Sequence, residues 1–270
     1  MKYYLYNPLA NNGIKPEGLD GVEYKEVIGL DYAAFFGGLA PEDEVVLVGG
    51  DGTLNYFINA MDTETITNNV YLKTSGSGND FMNDMDNKDG REILLNPYIK
   101  NLPTVYVNGI EKKFINGIGY GIDGYCCEVA DKIRESDSDK KIDYTAIAIK
   151  GLLFHFKKKK AVIYVDGKEY HFDNVWLAPS MKGRFYGGGM MVAPDQDRLS
   201  DKLTVVVYHC KSKLKALIAF PDIFKGTHVR QTDIVSVFTG KDIEVKFDEP
   251  CALQIDGDTV LNVLSYKAKA

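Results

Sequence analysis

The segment VVLVGGDGTLNYFINAM, residues 45–61, joins a run of apolar residues to a glycine-rich turn and then to an amphipathic pattern. In the turn, Gly49, Gly50 and Gly52 surround Asp51. The apolar residues after the turn recur with the spacing of one helix face: Leu54, Phe57, Ile58 and Met61. A turn that opens a helix presents backbone N–H groups, and the helix dipole favours an anion there. The segment therefore predicts a strand, a phosphate-binding turn and a helix.

Asp51 is the unexpected residue of this turn, because a carboxylate beside phosphate oxygens repels them unless a cation lies between. A nucleotide bridged by Mg²⁺, or a network of ordered water and lysine, would remove that repulsion. The turn contains neither the Gly-Lys-Ser/Thr end of a P-loop nor the G-x-G-x-x-G dinucleotide pattern. The alternative interpretation is a tight Gly-Gly-Asp-Gly turn without a ligand.

Composition narrows the class of protein. The chain has 270 residues, 45% of them apolar, and a net charge of -6, so there is no basic excess for a nucleic-acid partner. Its four cysteines show no zinc-binding spacing, and reduced thiols in a cytoplasmic protein are the simplest interpretation. The N-terminus lacks the apolar core of a signal peptide, and the apolar stretch 144–156 is too short to span a bilayer. The oligomeric state is left open.

The pattern of predicted secondary structure changes near residue 102. Before it, short apolar runs alternate with helical patterns, which is typical of a parallel sheet with crossover connections. After it, β-type runs are separated by Asn-Gly, Asp-Gly and Thr-Gly turns. We therefore predict an α/β fold in which a Rossmann-like domain, residues 1–102, precedes a mainly antiparallel β-sandwich domain, residues 103–258. For the tail, residues 259–270, we consider a return to the first domain.

Two more polar turns follow predicted strands of the first domain. NPLANNG, residues 7–13, follows one strand, and SGSGND, residues 75–80, follows another. Glycines in the second turn let the backbone approach a ligand, Ser77 offers a hydroxyl, and Asn79 or Asp80 is suited to cap the next helix. Because ligands bind at the carboxyl ends of parallel strands, the three turns together predict a nucleotide-sized site.

NPLANNG, GGDGTLN and GSGNDF resemble the three N-terminal signatures of the diacylglycerol kinase-type lipid kinase superfamily, which includes bacterial lipid kinases and the sphingosine and ceramide kinases. The resemblance continues in FINGIGYGID (114–123), FYGGGMMVAPDQDRLSDKLTVVV (185–207) and LQIDGD (253–258). NAD kinases and phosphofructokinases carry loops similar to GGDGT, so that block alone is less specific than all six blocks in this order.

The resemblance implies ATP as the phosphoryl donor, Mg²⁺, and the hydroxyl group of a lipid as the acceptor, entering a cleft between the domains at a membrane surface. It also implies a cytoplasmic protein that associates transiently with membranes. Carried over by motif, the ATP-site residues are Asn7, Gly49, Gly50, Asp51, Gly52, Thr53, Asn55, Gly76, Ser77, Gly78, Asn79 and Asp80. The metal position matches Asp201 with the carbonyl groups of Arg198 and Leu203, for which an ordinary turn is the alternative.

QIDGD matches the Asp-Gly-Glu block of the superfamily, whose acidic residues include the proposed general base. Phosphoryl transfer needs a carboxylate to take the proton of the acceptor hydroxyl, and Asp256 matches that aspartate. Asp258 stands where glutamate is usual, so its reach is shorter by about one carbon–carbon bond. Tyr106 lies nearest the position of an acidic strand residue in similar proteins, so a metal–water network relying on it would differ. The alternative for QIDGD is a β-hairpin turn with solvated carboxylates.

Two further segments each allow two interpretations. KGLLFHFKKKK, residues 150–160, fits either a membrane-surface contact or a buried helix whose basic end complements its dipole. RFYGGGMMVAP, residues 184–194, fits either an acyl-chain groove or core packing beside a bulge.

The sequence thus predicts an ATP-dependent lipid kinase that phosphorylates diacylglycerol or a related lipid in phospholipid metabolism. Two alternatives remain: a kinase for a soluble substrate, of the NAD kinase type, and a lipid or nucleotide sensor without catalysis. The identity of the lipid depends on the shape of the cleft, which the motifs do not reveal.

Overall fold

The computed structural model describes residues 1–8, 21–74, 79–87, 90–136 and 142–270. The chain divides into two compact units, Met1–Leu102 and Pro103–Ala270. No helix in the described ranges is both long enough and apolar enough to cross a membrane.

The first unit contains a five-stranded sheet with the order β2-β1-β3-β4-β5. Its strands are β1 (Lys2–Tyr6), β2 (Val22–Glu26), β3 (Glu44–Gly49), β4 (Asn69–Thr74) and β5 (Ile93–Leu94). Its helices are α1 (Tyr32–Gly37), α2 (Asp51–Ala60) and α3 (Asp80–Asp84), with a 3₁₀ turn at Thr63–Thr65. Strands β1 to β4 are parallel, and only β5 runs against its neighbour. The predicted parallel sheet is confirmed.

The central strand of this sheet explains the apolar run in the sequence. Residues 45–48 of β3 are buried on both faces, as in parallel sheets that are covered on each side. In α2 the predicted face is also buried, since Leu54, Phe57 and Ile58 are inaccessible to solvent. Phe57 meets the ring of Tyr32 from α1 edge to face, with 5.2 Å between centroids.

The second unit is built from antiparallel strands. They are β6 (Thr104–Val107), β7 (Ile110–Lys113), β8 (Gly117–Tyr120), β9 (Lys159–Val165), β10 (Lys168–Leu177), β11 (Ser180–Met181), β12 (Phe185–Tyr186), β13 (Met190–Met191), β14 (Leu203–His209), β15 (Val235–Gly240), β16 (Asp242–Ile255) and β17 (Asp258–Lys269). The main sheet has the order β7-β6-β17-β16-β8-β11-β14-β10-β9, with β15 beside β14, while β12 and β13 pair separately. The predicted mainly antiparallel second domain is confirmed.

Strand β16 connects two parts of this sheet. Residues 243–247 pair with β9, and residues 253–255 pair with β8. The register against β17 is irregular between Lys246 and Leu253, as expected where a strand bends to change layers. Inside, Tyr120 stacks on Phe247 with 4.1 Å between ring centroids. Strand β16 therefore pairs with both β8 and β9 and contributes side chains to the core between them.

In the described part of the second unit, three helices and several short turns accompany the strands. The helices are α4 (Ile122–Ser136), α5 (Tyr144–Lys150) and α6 (Lys213–Ala219). A π-helical turn, Gly151–His155, extends α5, while 3₁₀ turns follow α6 at Phe220–Lys225 and Thr227–Arg230. Helix α6 ends at Ala219, because Pro221 has no N–H group to continue it.

The C-terminal tail corrects one expectation. Residues 259–270 were considered as a segment returning to the first domain, but they belong to the second unit. They form most of β17, which pairs with β16 and, at residues 267–269, with β6. The two-residue turn before it, Asp256-Gly257, reverses the chain directly onto β16.

The glycine-rich segment 187–189 connects β12 to β13, with all three glycines at positive φ. Tyr186 is buried in the apolar cluster beneath α4 and α6, and Met190 packs against the same cluster. These contacts agree with the core-packing interpretation of this segment.

The close approach of α4 to β16 requires glycine at position 124. A Cβ atom at Gly124 would lie 1.9 Å from the carbonyl oxygen of Ala252, which is backbone and cannot rotate away. We expect Gly124→Ala to lower the free energy of unfolding by about 3 kcal/mol, through overpacking. Trp176, the single tryptophan, is buried in this unit, so its fluorescence during urea unfolding measures the change.

Gly151→Ala is the matched control for this prediction. A Cβ atom there would meet the ring of Tyr125 at 2.7 Å, and a side chain can shift where backbone cannot. The control should therefore lose clearly less stability than Gly124→Ala. Equal unfolding midpoints for Gly124→Ala and the wild-type protein would contradict the prediction.

Candidate functional site

The strands that precede the predicted ligand turns of the first unit end at one edge of its sheet. Tyr6 pairs with Val48, and Gly49 pairs with Thr74, so β1, β3 and β4 end at nearly the same level. Asn7, the Gly50-Asp51 turn and Thr74 at the end of β4 therefore lie together at the carboxyl edge. The rest of the first turn, residues 9–13, and the predicted ligand residues Gly76, Ser77 and Gly78 lie outside the described residues.

Asp51 connects the second turn to the helix that follows the third. Its Oδ2 accepts a hydrogen bond from the N–H group of Asp80 at 2.7 Å, and its Oδ1 accepts from that of Phe81 at 3.0 Å. These N–H groups belong to the first turn of α3, where a helix leaves its donors unsatisfied. The carboxylate that looked unfavourable beside phosphate is thus neutralised in part by backbone donors. Asn79 holds the N-cap position, but the capping carboxylate comes from Asp51.

Two glycines of this turn have different surroundings. A Cβ atom at Gly49 would lie 2.2 Å from Oγ1 of Thr53, so internal packing excludes any side chain there. At Gly52 no described atom lies within 4 Å of such a Cβ, and φ is not positive. Neither packing nor backbone conformation in the described residues therefore demands glycine at position 52. Open space at the first turn of α2 suits the approach of a ligand.

The other predicted nucleotide-site residues lie within α2 and α3. Thr53 and Asn55 are buried in α2. The Asn59 side chain donates to the carbonyl oxygen and to Oδ1 of Asn55, at 2.9 and 3.0 Å. Asp80 is buried at the start of α3. The structure thus brings the described members of the predicted set to the two helix starts at this edge.

Asp256 binds backbone in the second unit. Its carboxylate accepts from the N–H groups of Ile115 at 2.6 Å, and of Asn116 and Gly117 at 2.9 Å each. Its own N–H group donates to the carbonyl oxygen of Gly117 at 3.0 Å. These three hydrogen bonds hold residues 115–117 in place. Asp256 is therefore a positioning residue for this segment, and its role as general base stays a prediction.

Asp258 has different surroundings. It begins β17, is 62% exposed, and forms an ion pair with Lys112 of β7. Exposed ion pairs of this kind contribute little to stability. The two acidic residues of QIDGD therefore share a turn but have different partners, one the backbone and one a lysine.

The predicted metal position contains oxygen donors of the type that Mg²⁺ prefers, a carboxylate and two carbonyl groups. Asp201 is 71% exposed and lies 2.5 Å from the ammonium group of Lys241, which holds the pKa of Asp201 below its usual value. Arg198 is buried and donates from its guanidinium to the carbonyl oxygen of Ile115 and to Oδ1 of Asn116. The donor chemistry fits Mg²⁺, which would compete with Lys241 for the carboxylate. Within the described ranges, no three His, Cys, Asp or Glu residues cluster as metal ligands.

Asp123 is a candidate functional residue that the sequence analysis missed. It lies in the first turn of α4, and burial raises its pKa to about 7, while the nearby Tyr186 hydroxyl lowers it. Neither Oδ2 of Asp123 nor that hydroxyl makes a hydrogen bond of normal geometry in the described structure. Gly119 leaves room for this carboxyl, because a Cβ there would lie 2.7 Å from that of Asp123. The signal in the sequence was an aspartate within the apolar, glycine-rich run GIGYGID.

The raised pKa of Asp123 predicts a pH dependence of stability. The folded protein holds this proton more tightly than the unfolded chain, so stability is present below pH 3.8 and is lost as pH rises to about 7. We expect Asp123→Asn, which cannot ionise, to gain on the wild type across this window by up to roughly 4 kcal/mol. Urea unfolding followed by Trp176 fluorescence at several pH values measures the difference.

Tyr186→Phe extends the same test. Removing the hydroxyl that lowers the pKa of Asp123 should raise that pKa, so the loss of stability, which still begins near pH 3.8, should continue to a higher pH and become larger. Stability curves for the wild type and Asp123→Asn that stay parallel from pH 4 to pH 8 would contradict the assignment.

Comparisons with known proteins were made for both units. The family described as "YegS C-terminal NAD kinase beta sandwich-like domain" matches residues 116–265. A protein of Mycobacterium tuberculosis (strain CDC 1551 / Oshkosh) named "Diacylglycerol kinase" is 25% identical over 264 residues, covering 90% of this chain and 84% of its own length. The family match includes β8, α4 and the Asp256 turn.

Solved structures show the same fold. The crystal structure of a diacylglycerol kinase from Bacillus anthracis str. Sterne matches 99% of this chain and 93% of its own, with a TM-score of 0.65 and 18% identity. Another crystal structure from the same organism matches 99% of this chain and 91% of its own, with a TM-score of 0.70 and 17% identity. The mixed architecture, a parallel sheet followed by a mainly antiparallel unit, is thus shared with both.

Proposed function

Because this chain belongs to the family of the YegS C-terminal NAD kinase beta sandwich-like domain, we propose that it is an ATP-dependent lipid kinase. The family match and the named relatives confirm the resemblance to the diacylglycerol kinase-type lipid kinase superfamily. The observation that carries the proposal is the pair of helix starts, at α2 and α3, that Asp51 joins at the carboxyl edge of the parallel sheet.

In this proposal the first unit binds ATP. Backbone N–H groups at the start of a helix bind phosphate oxygens, and the helix dipole adds to that attraction. The start of α2 lies at this edge, where Gly52 leaves space for phosphate among the described residues. Asp51 holds the start of α3 beside it through the N–H groups of Asp80 and Phe81. The Asp51 carboxylate faces backbone donors through both of its oxygens, which reduces its repulsion of phosphate.

Mg²⁺ would be held by the Asp201 carboxylate and the carbonyl groups of Arg198 and Leu203. A bound Mg²⁺ would supply positive charge and order to this loop. The loop also has protein contacts of its own, because Lys182 donates to the carbonyl oxygen of Ser200 at 2.7 Å. The chain's own side chains thus order the loop around the candidate donors.

For the acceptor step, we assign two tasks to Asp256. It fixes residues 115–117 through three hydrogen bonds, and it takes the proton from the acceptor hydroxyl. Asp258, which is bound to Lys112, has a smaller, assisting part. The acceptor we propose is diacylglycerol or a related lipid, as the name of the mycobacterial relative suggests.

The proposed function predicts phosphoryl transfer from labelled ATP to a lipid. In an acceptor screen with diacylglycerol, phosphatidylglycerol, sphingoid bases and NAD, we expect labelled product with one lipid, identified by mass spectrometry, and none with NAD. Product from NAD alone would favour the soluble-substrate kinase. Tight binding of ATP and lipid without any product would favour the sensor.

Gly52→Ala connects the screen to the proposed ATP site. The added Cβ atom has no atom of the described residues within 4 Å, and alanine favours a helix, so the variant should fold at least as stably as the wild type. It should nevertheless bind ATP at least tenfold more weakly, because the methyl group fills the space for phosphate. Gly37→Ala, in equally open space at the end of α1, is the matched control and should bind ATP normally.

Asp256→Asn tests the acceptor step. An amide group faces the backbone donors with one acceptor oxygen fewer, so the free energy of unfolding should fall by about 1–3 kcal/mol. If Asp256 also accepts the proton, kcat should fall at least about 100-fold under conditions where Trp176 fluorescence shows a folded protein.

Asp258→Asn is the control for that experiment. It breaks the ion pair between the exposed Asp258 and Lys112, so its stability should change by less than about 1 kcal/mol and its kcat by much less than that of Asp256→Asn. An Asp256→Asn protein with the kcat of the wild type would exclude Asp256 as the proton acceptor.

A further inference from the structure

Two lysine-rich segments of the second unit lie side by side. The ammonium group of Lys213 donates to the carbonyl oxygen of Leu153 at 3.0 Å, and that of Lys158 donates to the carbonyl oxygen of Lys211 at 2.8 Å. These contacts join the π turn after α5 to the start of α6. We call the surface formed by residues 149–160 and 211–218 the basic apolar face.

The basic apolar face exposes large apolar side chains. Phe154, Leu214 and Ile218 are 72%, 68% and 71% exposed. Leu214 and Ile218 are one helical turn apart in α6, whose buried side is formed by Ala216 and Ala219. The helix therefore buries two alanines and packs Leu217 partly against the core, while Leu214 and Ile218 stay outward, which core packing alone does not favour.

The charge of these segments is equally one-sided. Residues 144–160 and 211–221 contain eight lysines and no aspartate or glutamate, in a chain with a net charge of -6. Two of the lysines, Lys159 and Lys215, form ion pairs with acidic residues from elsewhere in the unit. The remaining six lysines leave the rim of the exposed apolar residues strongly positive.

We propose that the basic apolar face docks on the surface of an anionic bilayer. Apolar side chains that enter the headgroup region, surrounded by lysines that meet anionic headgroups, are the features of reversible interfacial binding. A second copy of the chain is a poor occupant, because a symmetric contact would bring the two lysine-rich surfaces together. The interpretation of residues 150–160 as a buried helix fits only part of them, since Leu152 and Phe156 are buried but Phe154 is not.

Docking at this face rests on the proposed function for its biological purpose, because a lipid kinase needs a surface that contacts the membrane in which its substrate lies. Vesicle binding itself needs neither ATP nor an acceptor. The two proposals can therefore fail separately, since a protein that binds vesicles but transfers no phosphate contradicts only the kinase assignment.

The test compares the wild type with a Phe154→Ser, Leu214→Ser, Ile218→Ser variant in co-sedimentation with vesicles of phosphatidylcholine and phosphatidylglycerol. We expect the variant to bind at least tenfold more weakly. Wild-type binding should also weaken with added salt and on pure phosphatidylcholine, because the lysines would lose their partners. Since all three side chains are exposed, Trp176 unfolding curves should be unchanged.

A second triple variant is the matched control. Ile110→Ser, Val237→Ser and Leu261→Ser also replace exposed apolar residues of the same unit, outside the basic apolar face, and should leave vesicle binding intact. Equal vesicle binding by the wild type and the Phe154, Leu214, Ile218 variant would overturn the proposal. A different oligomeric state for that variant, with unchanged vesicle binding, would also overturn the proposal, because a second copy of the chain would then cover the face in the wild type.

The same variant separates docking from chemistry. With a short-chain diacylglycerol kept below its critical micelle concentration, its turnover should match the wild type. With diacylglycerol embedded in anionic vesicles, its turnover should fall at least tenfold. Equal losses on both substrates would overturn a role limited to docking.

Discussion

In each unit, an aspartate carboxylate accepts hydrogen bonds from distant backbone N–H groups and holds candidate functional residues in place. Asp51 does this for the start of α3, 29 and 30 residues away, and Asp256 does it for residues 115–117. Backbone donors are present whatever the sequence, and leaving them buried without partners is costly. A short acidic side chain with two acceptor oxygens meets this need while leaving the surrounding turn open. The positions of the start of α3 and of residues 115–117 therefore depend on the aspartates in these turns.

This dependence changes the meaning of the acidic residues in the glycine turns. An aspartate beside a phosphate-binding turn first suggests a metal ion, because its charge needs compensation. Here the compensation comes in part from peptide groups, which carry partial positive charge at the hydrogen. Asp51 thus fixes the shape of this turn through hydrogen bonds within the protein.

Patterns within a short window were sufficient for much of the fold. The period of Leu54, Phe57 and Ile58 predicted α2, and the apolar run before it predicted β3. Strand β2, VEYKE, was not predicted, because this edge strand is half exposed and mostly polar. The partners of Asp51 and Asp256 could not be predicted either, since they depend on contacts between segments far apart in the chain. Asp123 was missed for a related reason: its burial is a property of the packed unit and not of its neighbours in sequence.

The contacts of the Asp256 turn also bear on the order in which the second unit folds. The β16–β17 hairpin joins neighbours in sequence through a two-residue turn and can form early, whereas the bond from Ile115 to Asp256 spans 141 residues. A nascent chain must therefore deliver nearly the whole unit before residues 115–117 find their acceptor. Until then their N–H groups are left to water, so we expect this segment to be among the last to gain protection from hydrogen exchange. Residues 115–117 are synthesised long before the hairpin that binds them. During that interval a chaperone or a protease can reach this segment.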